Sequence, residues 1–130
     1  APSLVGSEMC IRDRGNTCVI VPSEAYPLSA TDLYQVLETS DLPAGVVNIV
    51  TATHSDVVDS LSGHMEVDAL WYFGSENHSA SIERASVTNL KRTWVNNGLD
   101  RDWTDSKQGA GKVFLRQATE VKNIWIPYGE

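Results

Sequence analysis

Two short patterns in this sequence resemble sites for chemistry, and neither is complete. Gly109–Lys112 (GAGK) resembles the end of a phosphate-binding loop. The full pattern requires Gly at position 106 and Ser or Thr at position 113, where the chain has Ser106 and Val113. We therefore predict a flexible loop there. Asn77–Ser79 (NHS) fits the N-glycosylation pattern, which only a secreted chain could use.

The remaining candidates for metal or nucleophilic chemistry are three histidines and one cysteine. His54, His64 and His78 lie in separate predicted elements and lack the HxxxH or HExxH spacing, so we expect no metal site. Cys18 lies in an apolar run, where burial disfavours a thiolate, and the chain has no GxSxG motif. The residues alone indicate no catalytic nucleophile.

Composition and charge narrow the class of protein. A length of 130 residues favours one domain, and the net charge of −7 argues against binding nucleic acid or an acidic membrane surface. No apolar run approaches the ~20 residues that span a bilayer. Beyond residue 14, Cys18 is the only cysteine, so no disulfide framework is expected. We therefore expect a cytoplasmic protein with neither a membrane nor a nucleic-acid partner.

The first 14 residues differ in character from the rest. Ser7–Arg14 (SEMCIRDR) has no hydrophobic period and no capping signal. Glu8–Asp13 also match one reading frame of a transposase end sequence used in sequencing libraries. We expect residues 1–14 to be translated adapter sequence or, as the alternative, a disordered N-terminal arm.

Short apolar runs alternate with helical patterns after residue 14. Runs rich in β-branched or aromatic residues predict four buried strands: Thr17–Val21, Val46–Val50, Ala69–Phe73 and Arg92–Val95. Between them we predict three helices: one that begins near Ser29, one at Ser55–Leu61 and one near Ser79–Ser86. Strands that alternate with helices predict a parallel sheet with flanking helices, in the α/β class.

The first of these helices has the clearest start signal. Ser29 and Asp32 have the spacing of a capping box, and Leu28 and Leu33 that of a hydrophobic staple. Pro43 then ends the helical pattern.

The C-terminal part is predicted to lie away from this sheet. Residues 99–111 are rich in Asn, Asp, Gly and Lys and predict a loop. Residues 112–130 form a strand segment in which Val121–Ile126 alternate between two faces. An apolar strand without a covering helix is an exposed edge, so we expect it to need a partner.

Three stretches together resemble the aldehyde dehydrogenase superfamily. Gly15–Thr51 (GNTCVIVPSEAYPLSATDLYQVLETSDLPAGVVNIVT) is similar to the second part of its NAD-binding domain. Ser62–Ser75 (SGHMEVDALWYFGS) resembles its His-x-x-Val-Asp stretch and its Phe-Thr-Gly-Ser turn. Asn89–Gly98 falls where the family carries Glu-Leu-Gly-Gly, and Ala118–Pro127 (ATEVKNIWIP) is similar to the closing strand of its oligomerisation region. The resemblance implies a partial Rossmann-like fold over residues 15–98.

The resemblance also implies a nucleotide site with altered residues. Glu24 matches the glutamate that holds the adenosine ribose, whereas Val21 replaces the lysine that assists it. Gly74 and Ser75 match the turn where a helix N-terminus faces the pyrophosphate. We therefore expect NAD or NADP in the parent enzyme, with no binding or weak binding by this chain.

The catalytic residues of the family have no counterpart here. The general-base glutamate aligns with Asn96, whose amide cannot accept a proton at neutral pH. The domain that carries the catalytic cysteine is absent, and without that thiol no covalent intermediate forms. We therefore expect no catalytic residue in this chain and no aldehyde oxidation by it alone.

With these departures, the chain resembles the reduced C-terminal module of family-16 aldehyde dehydrogenases. On that resemblance, the chain is a non-catalytic structural or interaction module, preceded in its parent protein by a complete dehydrogenase. Val121–Ile126 would then dock on the upstream catalytic module or on a dimer partner. The alternative is a vestigial nucleotide-binding regulatory module in which Glu24 and Ser75 retain weak NAD affinity.

Overall fold

The computed structural model describes residues 15–129, so the predictions for residues 1–14 lie outside it. Its four strands are β1 (Cys18–Ile20), β2 (Val47–Ile49), β3 (Ala69–Tyr72) and β4 (Arg92–Val95). Its five α-helices are α1 (Leu28–Glu38), α2 (His54–Gly63), α3 (Glu76–Ala85), α4 (Ser106–Ala110) and α5 (Lys112–Gln117). A 3₁₀ turn, Ser86–Asn89, follows α3. None of the described helices is long and apolar enough to cross a membrane.

The strands form two parallel pairs, which confirms the predicted α/β class. β1 pairs with β2, with Cys18 opposite Val47, and β3 pairs with β4, with Trp71 opposite Trp94. Among the described residues each sheet has two strands. Each pair is joined by a helical crossover, α1 in the first and α3 in the second, as parallel strands require.

One face of the β3–β4 sheet carries an aliphatic core. Leu70 on β3 packs with Val58 of α2 and Ile82 of α3, and all three are buried. The partly buried side chains around this core are Leu61, Tyr72 and Val95. Burial of each large aliphatic side chain contributes about 1.5–3 kcal/mol, so this cluster fixes α2 and α3 on the sheet.

The opposite face of the same sheet is aromatic. Alternation along the strands places Trp71 and Trp94 on this side, where their rings meet edge to face with centroids 5.1 Å apart. Phe114 of α5 is fully buried against both rings, at centroid distances of 5.9 and 5.0 Å. Residues 101–117 therefore cover the second face of the sheet.

Residues 99–111, which were predicted to form a loop, contain a helix. The segment contains α4, in which Gly109 is buried. A Cβ at Gly109 would collide with the carbonyl oxygen of Trp103. The glycine therefore permits a close backbone approach, which explains its place in GAGK without a phosphate. The local sequence does not indicate these helices because they are short and depend on tertiary packing.

The strand predicted at Val121–Ile126 is also wrong. α5 occupies the start of the predicted strand segment, and residues 120–129 have no regular structure. Within residues 15–129 no strand pairs with this tail, so its backbone lacks the ladder that stabilises an extended segment. Its apolar side chains are exposed, with Trp125 at 91% and Ile126 at 78%.

The start of the first helix differs from the capping-box prediction. α1 begins at Leu28 after Pro27, whose carbonyl accepts hydrogen bonds from the backbone N–H of Ala30 and Thr31. Ser29 therefore lies inside the first turn instead of before it, and the helix has no side-chain cap. Leu28 is 74% exposed, so the staple does not form. Proline favours an earlier start because its φ already suits the first turn.

Lys91 holds the end of α2 against the start of β4. Its ammonium is buried and donates to three backbone carbonyls at the C-terminus of that helix: Leu61 (3.2 Å), Ser62 (2.6 Å) and His64 (2.8 Å). A cation at a helix C-terminus satisfies orphan carbonyls and complements the helix dipole.

Candidate nucleotide-binding edge

The segments that follow the strands meet at one edge of the molecule. His54, the first residue of α2, approaches the end of β1 with its Nε2 3.3 Å from the carbonyl oxygen of Pro22. The same ring lies edge-on to Tyr72 at the end of β3, with centroids 6.0 Å apart. These contacts bring the carboxyl ends of β1 and β3 beside the N-terminus of α2. In open α/β sheets, ligands bind outside the carboxyl ends of the strands.

Glu24 lies at this edge and is exposed. Its carboxylate accepts a hydrogen bond from the backbone N–H of His54. The charge therefore faces the positive end of the α2 dipole, which favours a carboxylate there. Glu24, 30 residues earlier in the chain, thus caps the N-terminus of α2.

Gly74 and Ser75 form the turn between β3 and α3. The Ser75 side chain caps α3 by accepting a hydrogen bond from the backbone N–H of His78, at 3.4 Å. The Tyr72 ring covers Gly74 so closely that a Cβ at Gly74 would collide with the phenol oxygen. The same Tyr72 oxygen accepts the Ser75 backbone N–H at 3.2 Å. Two backbone donors at the start of α3 are therefore engaged by the chain itself.

The Tyr72 hydroxyl is held from a second direction. It lies 3.0 Å from Nδ1 of His78, in the first turn of α3. Because the phenol oxygen accepts from Ser75, its own proton is available to the His78 nitrogen. Tyr72 therefore bridges the turn and the helix, and its ring is fixed over the start of α3.

Asn96 follows β4 and links two loops through its amide. Its Oδ1 accepts the backbone N–H of Gly74 at 2.9 Å, and its Nδ2 donates to the carbonyl of Leu99 at 2.6 Å. An amide supplies both an acceptor and a donor, whereas a carboxylate supplies acceptors only. The side chain at the position matching the general base therefore holds two backbone segments together.

The turn after Asn96 also approaches the start of α3. Asn97 and Gly98 both have positive φ, 51° and 74°. A Cβ at Gly98 would lie 3.4 Å from the backbone nitrogen of Glu76. Glu76 itself places a carboxylate in the first turn of α3. Backbone and negative charge therefore surround this N-terminus.

No three His, Cys, Asp or Glu residues in the described part of the chain lie close enough together to hold a metal ion. The rings of His54 and His78 instead both lie near Tyr72, with centroid distances of 6.0 and 5.8 Å.

Parallel strands joined by crossover helices define a Rossmann-like α/β domain. A sequence model of the aldehyde dehydrogenase family matches residues 13–100, and the chain belongs to that family. The resemblance to the aldehyde dehydrogenase superfamily is thereby confirmed.

Curated relatives include malonate-semialdehyde dehydrogenases. The enzyme named malonate-semialdehyde dehydrogenase 2 from Oceanobacillus iheyensis is 44% identical over 78 residues, which cover 60% of this chain and 16% of that protein. The NADP/NAD-dependent aldehyde dehydrogenase PuuC of Escherichia coli is 35% identical over 85 residues, which cover 65% of this chain and 17% of that protein. The chain thus matches only about one sixth of the length of these relatives.

Solved structures of the family superpose on roughly two thirds of the chain. Indole-3-acetaldehyde dehydrogenase AldA of P. syringae, solved as a mutant with NAD+ and IAA, has a TM-score of 0.60 and 33% identity. That match covers 65% of this chain and 17% of AldA. Betaine aldehyde dehydrogenase of Staphylococcus aureus, solved with NAD+, has a TM-score of 0.58 and 28% identity over 61% of this chain and 16% of that chain.

In the structure the backbone N–H of Gly74 donates to Asn96, and Glu24 accepts the backbone N–H of His54 at the start of α2. Sequence reasoning named Glu24, Gly74 and Ser75 for the cofactor and Asn96 at the general-base position. It missed Tyr72, which contacts the turn directly, and Gly98, which approaches α3. The aromatic run at Trp71–Phe73 and the Asn-Asn-Gly turn after β4 were the available signals.

Proposed function

We propose that the chain is part of an NAD(P)-dependent aldehyde dehydrogenase and acts within it as a non-catalytic structural and interaction module. Its membership of the family supports the oxidoreductase assignment. Structures of relatives solved with NAD+ support NAD as the cofactor of the parent protein. The resemblance to the second module of family-16 enzymes supports the division between a catalytic part and this part.

The observation that carries the non-catalytic role is that the chain's own groups occupy part of the N-terminus of α3. A dinucleotide pyrophosphate binds at a helix N-terminus through free backbone N–H groups. Here Tyr72 accepts the Ser75 N–H, and the Ser75 hydroxyl accepts the His78 N–H. Glu76 adds a negative charge in the same turn. These residues do not fit a bound pyrophosphate, so no step is assigned to the cofactor in this chain.

Asn96 supports the same role. Both atoms of its amide are already engaged, by Gly74 and by Leu99. A general base must accept a proton, which an amide cannot do at neutral pH. The residue therefore positions the turn before α3.

The interaction role rests on the exposed tail. Val121, Ile124, Trp125 and Ile126 are each at least 78% exposed, and they are consecutive or nearly so in the chain. Exposed apolar segments of this kind mark interaction sites. We propose that Val121–Ile126 docks on the upstream catalytic module or on a dimer partner, where an existing sheet edge would supply the missing backbone hydrogen bonds.

A vestigial nucleotide-binding regulatory module is the second candidate. It is favoured by the common location of Glu24, Gly74 and Ser75 at the carboxyl edge. In that case weak NAD binding would compete with the internal contacts of Tyr72. The two candidates therefore differ in whether the wild-type chain binds NAD.

Titration calorimetry with NAD separates these candidates. For the structural module we expect no saturable heat from the wild-type chain up to about 1 mM NAD, a concentration that detects binding free energies near −4 kcal/mol. The Tyr72→Phe variant frees the Ser75 N–H and should show weak, measurable binding. Tyr34→Phe on the exposed side of α1 is the matched control and should show no saturable heat. Saturable wild-type binding would support the regulatory module instead.

The docking proposal has a separate test. Sedimentation of the full chain at about 100 µM should show self-association if a second copy can accept the tail, as a small interface of modest affinity would produce. The double variant Trp125→Ser/Ile126→Ser should shift the chain to monomer. A wild-type chain that is monomeric throughout would rule out a second copy as the partner.

A further inference from the structure

Four aromatic rings surround the guanidinium of Arg101. Its Cζ lies between 4.9 and 5.6 Å from each ring centroid, within the range of cation–π attraction. The rings belong to Phe73, Trp94, Trp103 and Phe114. We call these four residues the aromatic cage.

The rings of the cage support one another. Phe73 lies edge-on to Trp94 and to Trp103, with both centroid distances at 5.0 Å. Trp94 and Phe114 are also 5.0 Å apart. Mutual edge-to-face contacts fix ring orientation, so the cage is a preformed concave surface and not a chance approach of one ring to a cation.

Arg101 is an imperfect occupant of this cage. Its Nη1 is buried and has no hydrogen-bond partner. A guanidinium carries five N–H donors, and a buried donor without a partner costs free energy. Ring faces attract positive charge but satisfy these donors poorly. A cation that has no N–H groups would avoid this cost.

Arg101 and Trp103 lie on irregular backbone, whereas the other three cage residues lie on or beside helices and strands. Residues 99–102 lie outside any helix or strand. Phe73 and Trp94, by contrast, are held at the end of β3 and within β4, and Phe114 is fully buried on α5. A competing cation can therefore displace the Arg101 side chain without unfolding the sheet.

We propose that the aromatic cage is a binding site for quaternary ammonium cations, with Arg101 as its resident occupant. Quaternary ammonium groups are the ligands that aromatic cages recognise, because they present positive charge without donors. The geometry that supports this site lies on the aromatic face of the β3–β4 sheet and is independent of the proposed function at the carboxyl edge.

Tetramethylammonium chloride is the probe, with sodium chloride at the same ionic strength as the reference. Binding to the full chain is followed by tryptophan fluorescence and by the indole N–H resonances of Trp94 and Trp103. Arg101→Ala empties the cage and should bind tetramethylammonium at least roughly tenfold more tightly than the wild-type chain. Arg116→Ala, which removes an exposed arginine from α5, is the matched control and should bind like wild type.

A second variant tests the rings. Arg101→Ala/Trp103→Leu keeps the cage empty and removes one wall, and it should lose most of the gained affinity. A folded Arg101→Ala chain that binds no more tightly than Arg116→Ala would overturn the proposal.

The test also holds where Arg101→Ala does not fold by itself. Tetramethylammonium should then restore its far-ultraviolet circular dichroism, while sodium chloride should not. Equal recovery in both salts, or recovery in neither, would overturn the proposal.

Discussion

The two parallel units of the molecule have the same topology and differ in burial. Within the helix and strands of the first unit, β1–α1–β2, Ala30 is the one buried residue. In the second unit, β3–α3–β4, Leu70 and Ile82 form a core with α2, and Phe114 closes the opposite face. The second unit is therefore covered on both faces by the chain itself. The first unit leaves Val19, Tyr34 and Val36 exposed.

This difference bears on the proposed function. The second unit is packed on both faces, and the loops at its carboxyl edge are held by hydrogen bonds to Tyr72 and Asn96. The first unit has few buried residues. Such a unit is consistent with the proposed docking role. The comparison predicts that substitutions in the second unit cost far more stability than substitutions in the first.

The largest effect is expected at Phe114. Phe114→Ala should lower the free energy of unfolding by about 3–5 kcal/mol, because it removes a fully buried ring and leaves a cavity among Trp71 and Trp94. Urea denaturation measures the change. The neighbouring Val113→Ala, at a more exposed position of α5, is the control and should change stability much less. Equal costs for the two variants would contradict the view that α5 covers the sheet.

Lys91 is expected to come next. Lys91→Met should destabilise the chain by about 2 kcal/mol, because the carbonyls of Leu61, Ser62 and His64 lose their donor. The same denaturation experiment applies, with Lys112→Met as the control at an exposed site on α5. If Lys91→Met proves as stable as Lys112→Met, the buried ammonium does not hold the end of α2.

A small effect is expected in the first unit. Val36 on α1 is 62% exposed, so Val36→Ala should change stability by less than about 0.5 kcal/mol. Its matched partner in the second unit is Ile82→Ala on α3, which should cost about 2–4 kcal/mol. A loss of more than about 1 kcal/mol for Val36→Ala would break the comparison, since it would reveal a core beneath α1.

The smallest effect is expected for the pH dependence of stability at Asp102, which lies in the segment that covers the aromatic face. The hydroxyl and the backbone N–H of Thr104 donate to Asp102, at 2.6 and 2.9 Å, and lower the pKa of that carboxyl. A carboxyl group whose pKa is lowered by folding stabilises the protein at pH values above its ordinary pKa of about 3.9. This stabilisation is lost as the pH falls through the folded-state pKa.

The variant Asp102→Asn should therefore lose a small part of the wild-type stability at pH 7, and less of it as the pH falls below about 4. Thermal unfolding across that range measures the difference, with Asp100→Asn as an exposed control. A difference that grows as the pH falls would contradict the stated direction of the shift.

Local sequence was sufficient for the four strands. Each predicted run contains the observed strand within two residues at either end, and Arg92–Val95 matches it at both ends. β-branched and aromatic residues fix these elements because they suit a pleated, partly buried surface. The helices were less well predicted, since α1 starts at Leu28 before its predicted cap and α3 starts at Glu76, three residues before Ser79.

Tertiary contacts explain what sequence reasoning missed. α4 and α5 are short helices that contain or flank glycines, and their position depends on Trp103 and Phe114 meeting the aromatic face. Local patterns cannot show such long-range packing. The tail at Val121–Ile126 shows the opposite case, because an alternating pattern forms a strand only where a neighbouring strand supplies hydrogen bonds.

For the candidate site, the sequence suggested residues and not their contacts. The family resemblance identified Glu24, Gly74, Ser75 and Asn96. It did not indicate that Tyr72 would accept the Ser75 N–H or that Glu24 would cap α2. Both contacts join residues whose side-chain directions depend on how the loops pack.

The most direct test of the account is an amide NMR titration of the full chain with NAD. The central claim is that the N-terminus of α3 is closed by Tyr72, Ser75 and Glu76. We predict that the backbone N–H resonances of Ser75 and Glu76 do not shift saturably up to about 5 mM NAD, whereas a free helix N-terminus would bind the pyrophosphate. Saturable shifts at Gly74 and Ser75 would contradict the claim and would identify this edge as a working nucleotide site.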